Sequence, residues 1–109
     1  MSDLLDLGLH LAPMTAADVA EVCALETSVF PFPWSRGNFI DSLNSGYDCW
    51  TVRDAEGALA GYYLLMYALD EAHLLDVAVA AHRQRQGLGR RLLDVLAARA
   101  QSGHDVDPA

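Results

Sequence analysis

Apolar residues in this chain recur at helical spacing as far as Leu43, crowd into strand-like runs from Tyr47 to Val79, and return to helical spacing from Leu88 onward. A chain that changes period twice must lay helices against a sheet. Leu7 to Leu11 reads as a short first strand ended by Pro13. Thr15, with Asp18 three residues on, caps a helix whose inner side carries Val19, Val22, Cys23 and Leu25. Two prolines make Phe30 to Ser35 a loop, because each removes a donor and pushes its predecessor toward extended backbone. Ser35 caps a second helix that runs to about Leu43, where Asn44-Ser45-Gly46 breaks it. Tyr47 to Arg53 and Ala58 to Leu69 are strands joined by Asp54-Ala55-Glu56-Gly57, with Gly57 supplying a positive φ. A turn at Asp70-Glu71 leads to a third run, His73 to Val79, which completes an antiparallel meander. Gly87 and Gly89 open a last helix with Leu88, Leu92, Val95 and Leu96 on one stripe. Gly103 is expected to end it, leaving residues 1–103 as a single domain and residues 104–109 as a disordered tail.

Seven basic against fifteen acidic residues give a net charge of −8 over 109 residues, too acidic for a nucleic-acid binder by bulk charge. The uncharged run Ala58 to Leu69 is shorter than the roughly 18–20 residues of a membrane span. The first six residues carry two acids, Asp3 and Asp6, where a secretory signal carries basic residues, so the expected compartment is the cytoplasm. Cys23 and Cys49 lack a C-x-x-C spacing and sit in apolar patterns, which reads as buried thiols and no metal site.

Every basic residue is an arginine, and four of the seven (Arg83, Arg85, Arg90 and Arg91) fall within nine positions. They surround Gln84-Arg85-Gln86-Gly87-Leu88-Gly89, which joins the apolar run Leu74-Leu75-Asp76-Val77-Ala78-Val79 to the last helix. Backbone amides converge at such a helix start, the helix dipole favours an anion, and glycines let backbone approach phosphate oxygens. No Gly-Lys-Ser/Thr and no G-x-G-x-x-G is present, so neither a P-loop nor a dinucleotide fingerprint applies. A solvated strand-to-helix turn is the plain alternative.

Gln84-x-x-Gly87-x-Gly89, preceded by Val77-Ala78-Val79 and followed by Arg90-Arg91-Leu92-Leu93, resembles the acetyl-CoA motif of the GNAT N-acetyltransferases. Phe32-Pro33-Trp34-Ser35 and Leu69-Asp70-Glu71-Ala72 resemble the bacterial ribosomal-protein-alanine N-acetyltransferases in particular. The resemblance runs from about Leu9 to Ala100. It implies a GNAT-like α/β (α+β) fold, N-terminal part only, in the order β1-α1-α2-β2-β3-β4-α3, with a mainly antiparallel sheet and the C-terminal strands and helix missing. It further implies acetyl-CoA as cosubstrate, no metal, and the N-terminal alanine peptide of a small-subunit ribosomal protein as partner. Val77, Ala78 and Val79 would pair with the pantetheine arm and polarise the thioester. Gln84, Arg85, Gln86, Gly87, Leu88, Gly89 and Arg90 would hold the pyrophosphate, and Phe32, Trp34 and Ser35 would shape the peptide side.

Acetyl transfer to an α-amine needs a base, since that amine has a pKa of about 7.7–8.0 and is partly protonated at neutral pH. The resembled enzymes supply a glutamate from a fifth strand and a tyrosine from the helix after it. No match to that segment follows Ala100, so the catalytic residues are unassigned and the chain is expected to be impaired or inactive. Asp76, His73, Glu71, Tyr62, Tyr63 and Tyr67 are substitutes by position, although strand tyrosines ordinarily pack and turn acids are ordinarily solvated. The strand ending at Val79 would then be a sheet edge, open to pairing with another chain. The alternative function is a non-catalytic module that binds CoA or a partner.

Overall fold

The computed structural model describes residue 4 and residues 7–106, apart from the side chains of residues 85–86 and 101–106. Strands β1 (Leu9–Pro13), β2 (Asp48–Asp54), β3 (Leu59–Ala68) and β4 (Glu71–Val79) form one antiparallel sheet in the order β1-β2-β3-β4. The helices are α1 (Val19–Val29), α2 (Arg36–Asn44) and α3 (Leu88–Val106), so the elements follow the expected α/β sequence. Short 3-10 turns, Ala16–Asp18 and Ala81–Gln86, lead into α1 and α3.

Local chemistry explains most of these boundaries. Thr15 N–H donates to Asp18 Oδ2 at 2.8 Å ahead of α1, and Ser35 Oγ accepts from Asn38 N–H at 3.1 Å at the start of α2. Gly57 adopts φ 88° where β2 turns into β3.

Three expectations are corrected. β1 lies at Leu9–Pro13 rather than Leu7–Leu11 and includes its proline, which an outer strand tolerates because one side of its backbone has no ladder to feed. β4 begins at Glu71, and the turn before it is made at Leu69-Asp70, with Leu69 in the left-handed region at φ 56°. α3 continues through Gly103 to Val106, since one glycine inside a helix costs only about 1 kcal/mol relative to alanine. Residues 107–109 of the expected tail lie outside the described residues.

The sheet has a core on each face. On one, α3 seats Leu88, Leu92 and Leu96 over Val52, Ala60, Tyr63 and Leu65. On the other, Val19, Val22 and Phe39 of α1 and α2 pack on Cys49, Tyr62, Leu64 and Ala78. Each fully buried Leu or Val adds about 1.5–3 kcal/mol. Both cysteines are free thiols, Cys49 buried and Cys23 half-buried.

A β-bulge interrupts the β3–β4 ladder: Leu64 pairs with Asp76 and Leu65 with Leu74, so Leu75 is the extra residue. The bulge turns Leu75 toward the α1–α2 side, which Asp76 already faces in register with Ala78; there Leu75 joins the core margin and Asp76 lines a pocket.

An ionic latch ties the far half of α3 to the sheet. Arg99 donates from Nε to Asp48 Oδ2 at 2.9 Å and lies 4.0 Å over the Trp50 ring, while Trp50 Nε1 and Tyr67 OH also donate to Asp48. Burial pushes the Asp48 carboxyl up, but hydrogen bonds from Arg99, Trp50 and Tyr67 together hold it below its ordinary value. A depressed carboxyl stabilises the fold above its unfolded pKa, and that contribution is lost as pH falls through the folded value. Arg99→Ala is therefore expected to cost about 1 kcal/mol near neutrality, discounted for the partial exposure of the arginine, and to shrink that loss under acid. Urea midpoints at neutral pH and at about pH 3 measure both effects.

Candidate functional site

The C-terminal turn of α1, the outer edge of β4 and the first turns of α3 enclose an apolar cleft of about 250 Å³, lined by Val29, Phe30, Val77, Ala78, Val79, Gly89 and Leu93. β4 is at the rim because, among the described residues, it pairs with β3 alone, Val77 opposite Tyr63 and Ala78 opposite Tyr62. Along an edge strand, alternate backbone groups face outward and can accept an extended ligand arm. Gly89 leaves open space where a Cβ would stand, so its glycine hollows the cleft beside the helix start. These features fit an elongated, largely apolar arm ending near helix-start amides.

The loop before α3 is built to hold this end in place. Gln84 Nε2 donates to Val79 O at 3.1 Å, tying the 3-10 turn back to the end of β4. Gly87 takes φ 76°, a left-handed conformation that permits the change from 3-10 turn to α-helix. Leu88 is fully buried in the α3 core, so only its backbone is available to a ligand. Arg90 is exposed, and the backbone of Arg85 and Gln86 belongs to the 3-10 turn. Arg83 does not hang over the loop: its NH2 lies 3.5 Å from Asp54 Oδ2 at the β2–β3 hairpin.

A second pocket of about 320 Å³ adjoins the cleft, lined by Glu26, Phe30, Pro31, Phe32, Trp34 and Asp76. Phe30 is a wall of both. Phe32 is 91% exposed at the mouth, not core packing, and Trp34 is half-buried with its ring 5.2 Å from that of Phe39. Ser35 is not brought into this pocket, because its hydroxyl caps α2.

Glu26 organises the pocket floor. It is buried, with Oε1 accepting from Tyr62 OH at 2.5 Å and Oε2 accepting from Trp34 N–H at 2.9 Å. One carboxylate thus fixes the Phe30–Ser35 loop to the middle of β3. Burial first, and the Glu26 hydrogen bond next, push the Tyr62 hydroxyl above its ordinary range, so Tyr62 serves as a donor. Asp76 also hydrogen-bonds Glu26, and burial, followed by that bond and the Glu26 charge, pushes the Asp76 carboxyl up to about 7. Its Oδ2 is buried without a donor among the described residues.

The other substitutes are placed elsewhere. Tyr63 is fully buried under α3, Tyr67 donates to Asp48, and His73 Nε2 lies 3.2 Å from Glu71 Oε1 on the exposed start of β4. The sequence reading overlooked Glu26, although the signal was present: Val19, Val22 and position 26 share one helical face, and a charge on an apolar stripe marks a buried partnership. Among the described residues, no three His, Cys, Asp or Glu converge to hold a metal, and no helix is long and apolar enough to cross a membrane.

Comparison with known proteins bears on the same region. The sequence model of the Acetyltransferase (GNAT) family matches residues 19–106. The ribosomal protein bS18-alanine N-acetyltransferase of Escherichia coli strain K12 is 31% identical over 86 residues, which are 79% of this chain and 57% of that relative. The chain thus spans less than two thirds of the relative's length. The crystal structure of the Escherichia coli ribosomal-protein-S18-alanine N-acetyltransferase superposes with a TM-score of 0.77 at 28% identity, covering 86% of this chain and 60% of that one. A GNAT phosphinothricin acetyltransferase from Sinorhizobium meliloti, solved with AcCoA, shares the fold at a TM-score of 0.67 and 19% identity, over 87% of this chain and 60% of that one.

Proposed function

We propose, for a chain that belongs to the GNAT family of acetyltransferases, that it serves the transfer of an acetyl group from acetyl-CoA to a protein N-terminal amine, that of alanine in a small-subunit ribosomal protein. The observation that carries this reading is the apolar cleft, which runs along the free edge of β4 to the glycine-opened start of α3. Val77, Ala78 and Val79 would receive the pantetheine arm by strand-like pairing, with one backbone N–H on the thioester oxygen. Backbone amides of Gln84 to Arg90 would take the pyrophosphate, where the helix dipole adds to them. The cosubstrate supplies an activated acyl group. The protein's share is to orient that group and to exclude water from the cleft.

Phe32 and Trp34 form the side on which the acceptor peptide would lie, and Ser35 supports them by capping α2. The site would work in the cytoplasm, and an overall acidic surface suits a basic ribosomal peptide. A binding-only reading draws on a different observation: Leu74, 45% exposed on edge strand β4, offers a place for another chain to pair. Mass-spectrometric detection of acetylation on an alanine-starting peptide separates the two, since a binding module leaves the peptide unmodified.

The acetyl-CoA site has its own test. Gly89 has open space around its missing Cβ, so Gly89→Leu should fold normally, with unchanged or raised thermal midpoint because leucine is the better helix former. The new side chain would fill the cleft, and acetyl-CoA affinity should fall about tenfold or more. Calorimetric titration showing equal affinity in both proteins overturns this placement.

A further inference from the structure

Two carboxyl groups face each other at the floor of the second pocket, and the buried Oδ2 of Asp76 has no partner among the described residues. Glu26 has both oxygens engaged from its own side, by Tyr62 OH and by the Trp34 amide. Asp76 approaches from β4, on the same sheet face as Ala78 two residues on, and its buried Oδ2 lacks a donor among the described residues. Facing carboxyl groups require a positive particle, either a proton or a cation.

The pocket's walls favour a cation. Phe30, Phe32 and Trp34 present aromatic surface, and no basic side chain is among the lining residues. The counter-charge must therefore enter from outside. It would arrive beside the thioester channel, because Phe30 walls both cavities and Asp76 immediately precedes Val77 in the cleft lining.

We propose that the Glu26–Asp76 carboxyl pair is the seat of the acceptor's primary ammonium, with Asp76 the group that meets its N–H bonds and Glu26 the positioning anion behind it. This rests on the amine-acetylating reading above. Without ligand the pair shares one proton. An entering R–NH3⁺ displaces that proton to solvent and is held by the doubly charged pair. When the bound ammonium gives up an N–H proton, an Asp76 O–H bond forms, the pair returns to its singly charged state, and the nitrogen lone pair is freed for attack. The other titratable groups facing the pair are Cys23 of α1 and Tyr62 of β3, while Arg36 of α2 acts on Cys23. Affinity for an ammonium should therefore climb as pH rises toward neutrality, as the second carboxyl gives up its proton.

The test titrates L-alaninamide into the full chain by calorimetry, with and without CoA, in phosphate and in Tris at neutral pH. Binding is expected to release protons, seen as a heat that differs between the two buffers. Asp76→Asn, which keeps the side chain's size, should weaken binding about tenfold or more and abolish the buffer dependence. A CoA titration of the same variant should match the parent and also shows that it is folded. The proposal is overturned if alaninamide fails to bind the parent, if Asp76→Asn binds it equally well, or if the parent's affinity is flat between about pH 5 and 8. Should CoA fail to bind while the alaninamide results hold, the acetyl-CoA reading falls and the ammonium seat stands.

Discussion

Glu26→Ala is expected to lower stability by about 3 kcal/mol. Truncation removes the acceptor for the buried Tyr62 hydroxyl and for the Trp34 amide, and it strips Asp76 of its partner. At roughly 4–8 °C per kcal/mol for a domain of this size, the thermal midpoint should drop by about 15 °C. Tyr62→Phe separates the contributions, because it deletes one donor and leaves Glu26 the other, and should cost only about 1 kcal/mol. Thermal melts of the two variants beside the parent measure the difference. A Glu26→Ala midpoint within a few degrees of the parent would mean that the loop carrying Phe32 and Trp34 is held by something other than this carboxylate.

Gly61→Ala should cost about 2–3 kcal/mol by overpacking, and it should also weaken acetyl-CoA binding. Gly61 is buried on β3 opposite Val79, and a Cβ there would stand 2.7 Å from the carbonyl oxygen of Ala78. The obstructing atom belongs to a backbone ladder, so no side-chain rotation relieves the clash. β4 must move outward, and Val77 to Val79, the inner wall of the cleft, move with it. The pairing of effects is diagnostic: Gly61→Ala should lose stability and affinity together, whereas Gly89→Leu should lose affinity alone. Urea denaturation beside coenzyme titration reads both, and unchanged stability in Gly61→Ala refutes the clash.

The sequence was legible wherever a local interaction decides the structure. The Ser35 cap, the Gly57 turn, the stripe Leu88, Leu92 and Leu96, and the order of the elements all follow from contacts a few residues apart. The misses have non-local causes. β1 could keep Pro13 because of its place at the sheet rim, which the sequence alone does not announce. Cys23 and Leu25, expected on the inner side of α1, are half-buried, and the position that goes fully inside is Glu26. Its partners come from Trp34 and from strands β3 and β4, so only the assembled fold turns an acid on an apolar stripe into an anchor. The bulge at Leu75 is likewise set by pairing across β3 and β4, and without it Leu75 would not share the face of Asp76 and Ala78. The loop before α3 was readable as glycines between strand and helix; the pocket around Glu26 needed the tertiary structure.

Spatial order in the sheet repeats order along the chain, and this has a kinetic consequence. β2, β3 and β4 find one another by closing two tight hairpins, Ala55–Ala58 and Leu69–Asp70, each with little loss of chain entropy. β1 can join only by closing the long excursion that contains both α1 and α2. The meander is thus positioned to nucleate folding, and the first strand to arrive late, after the helices it must bracket have already collapsed onto the hairpins.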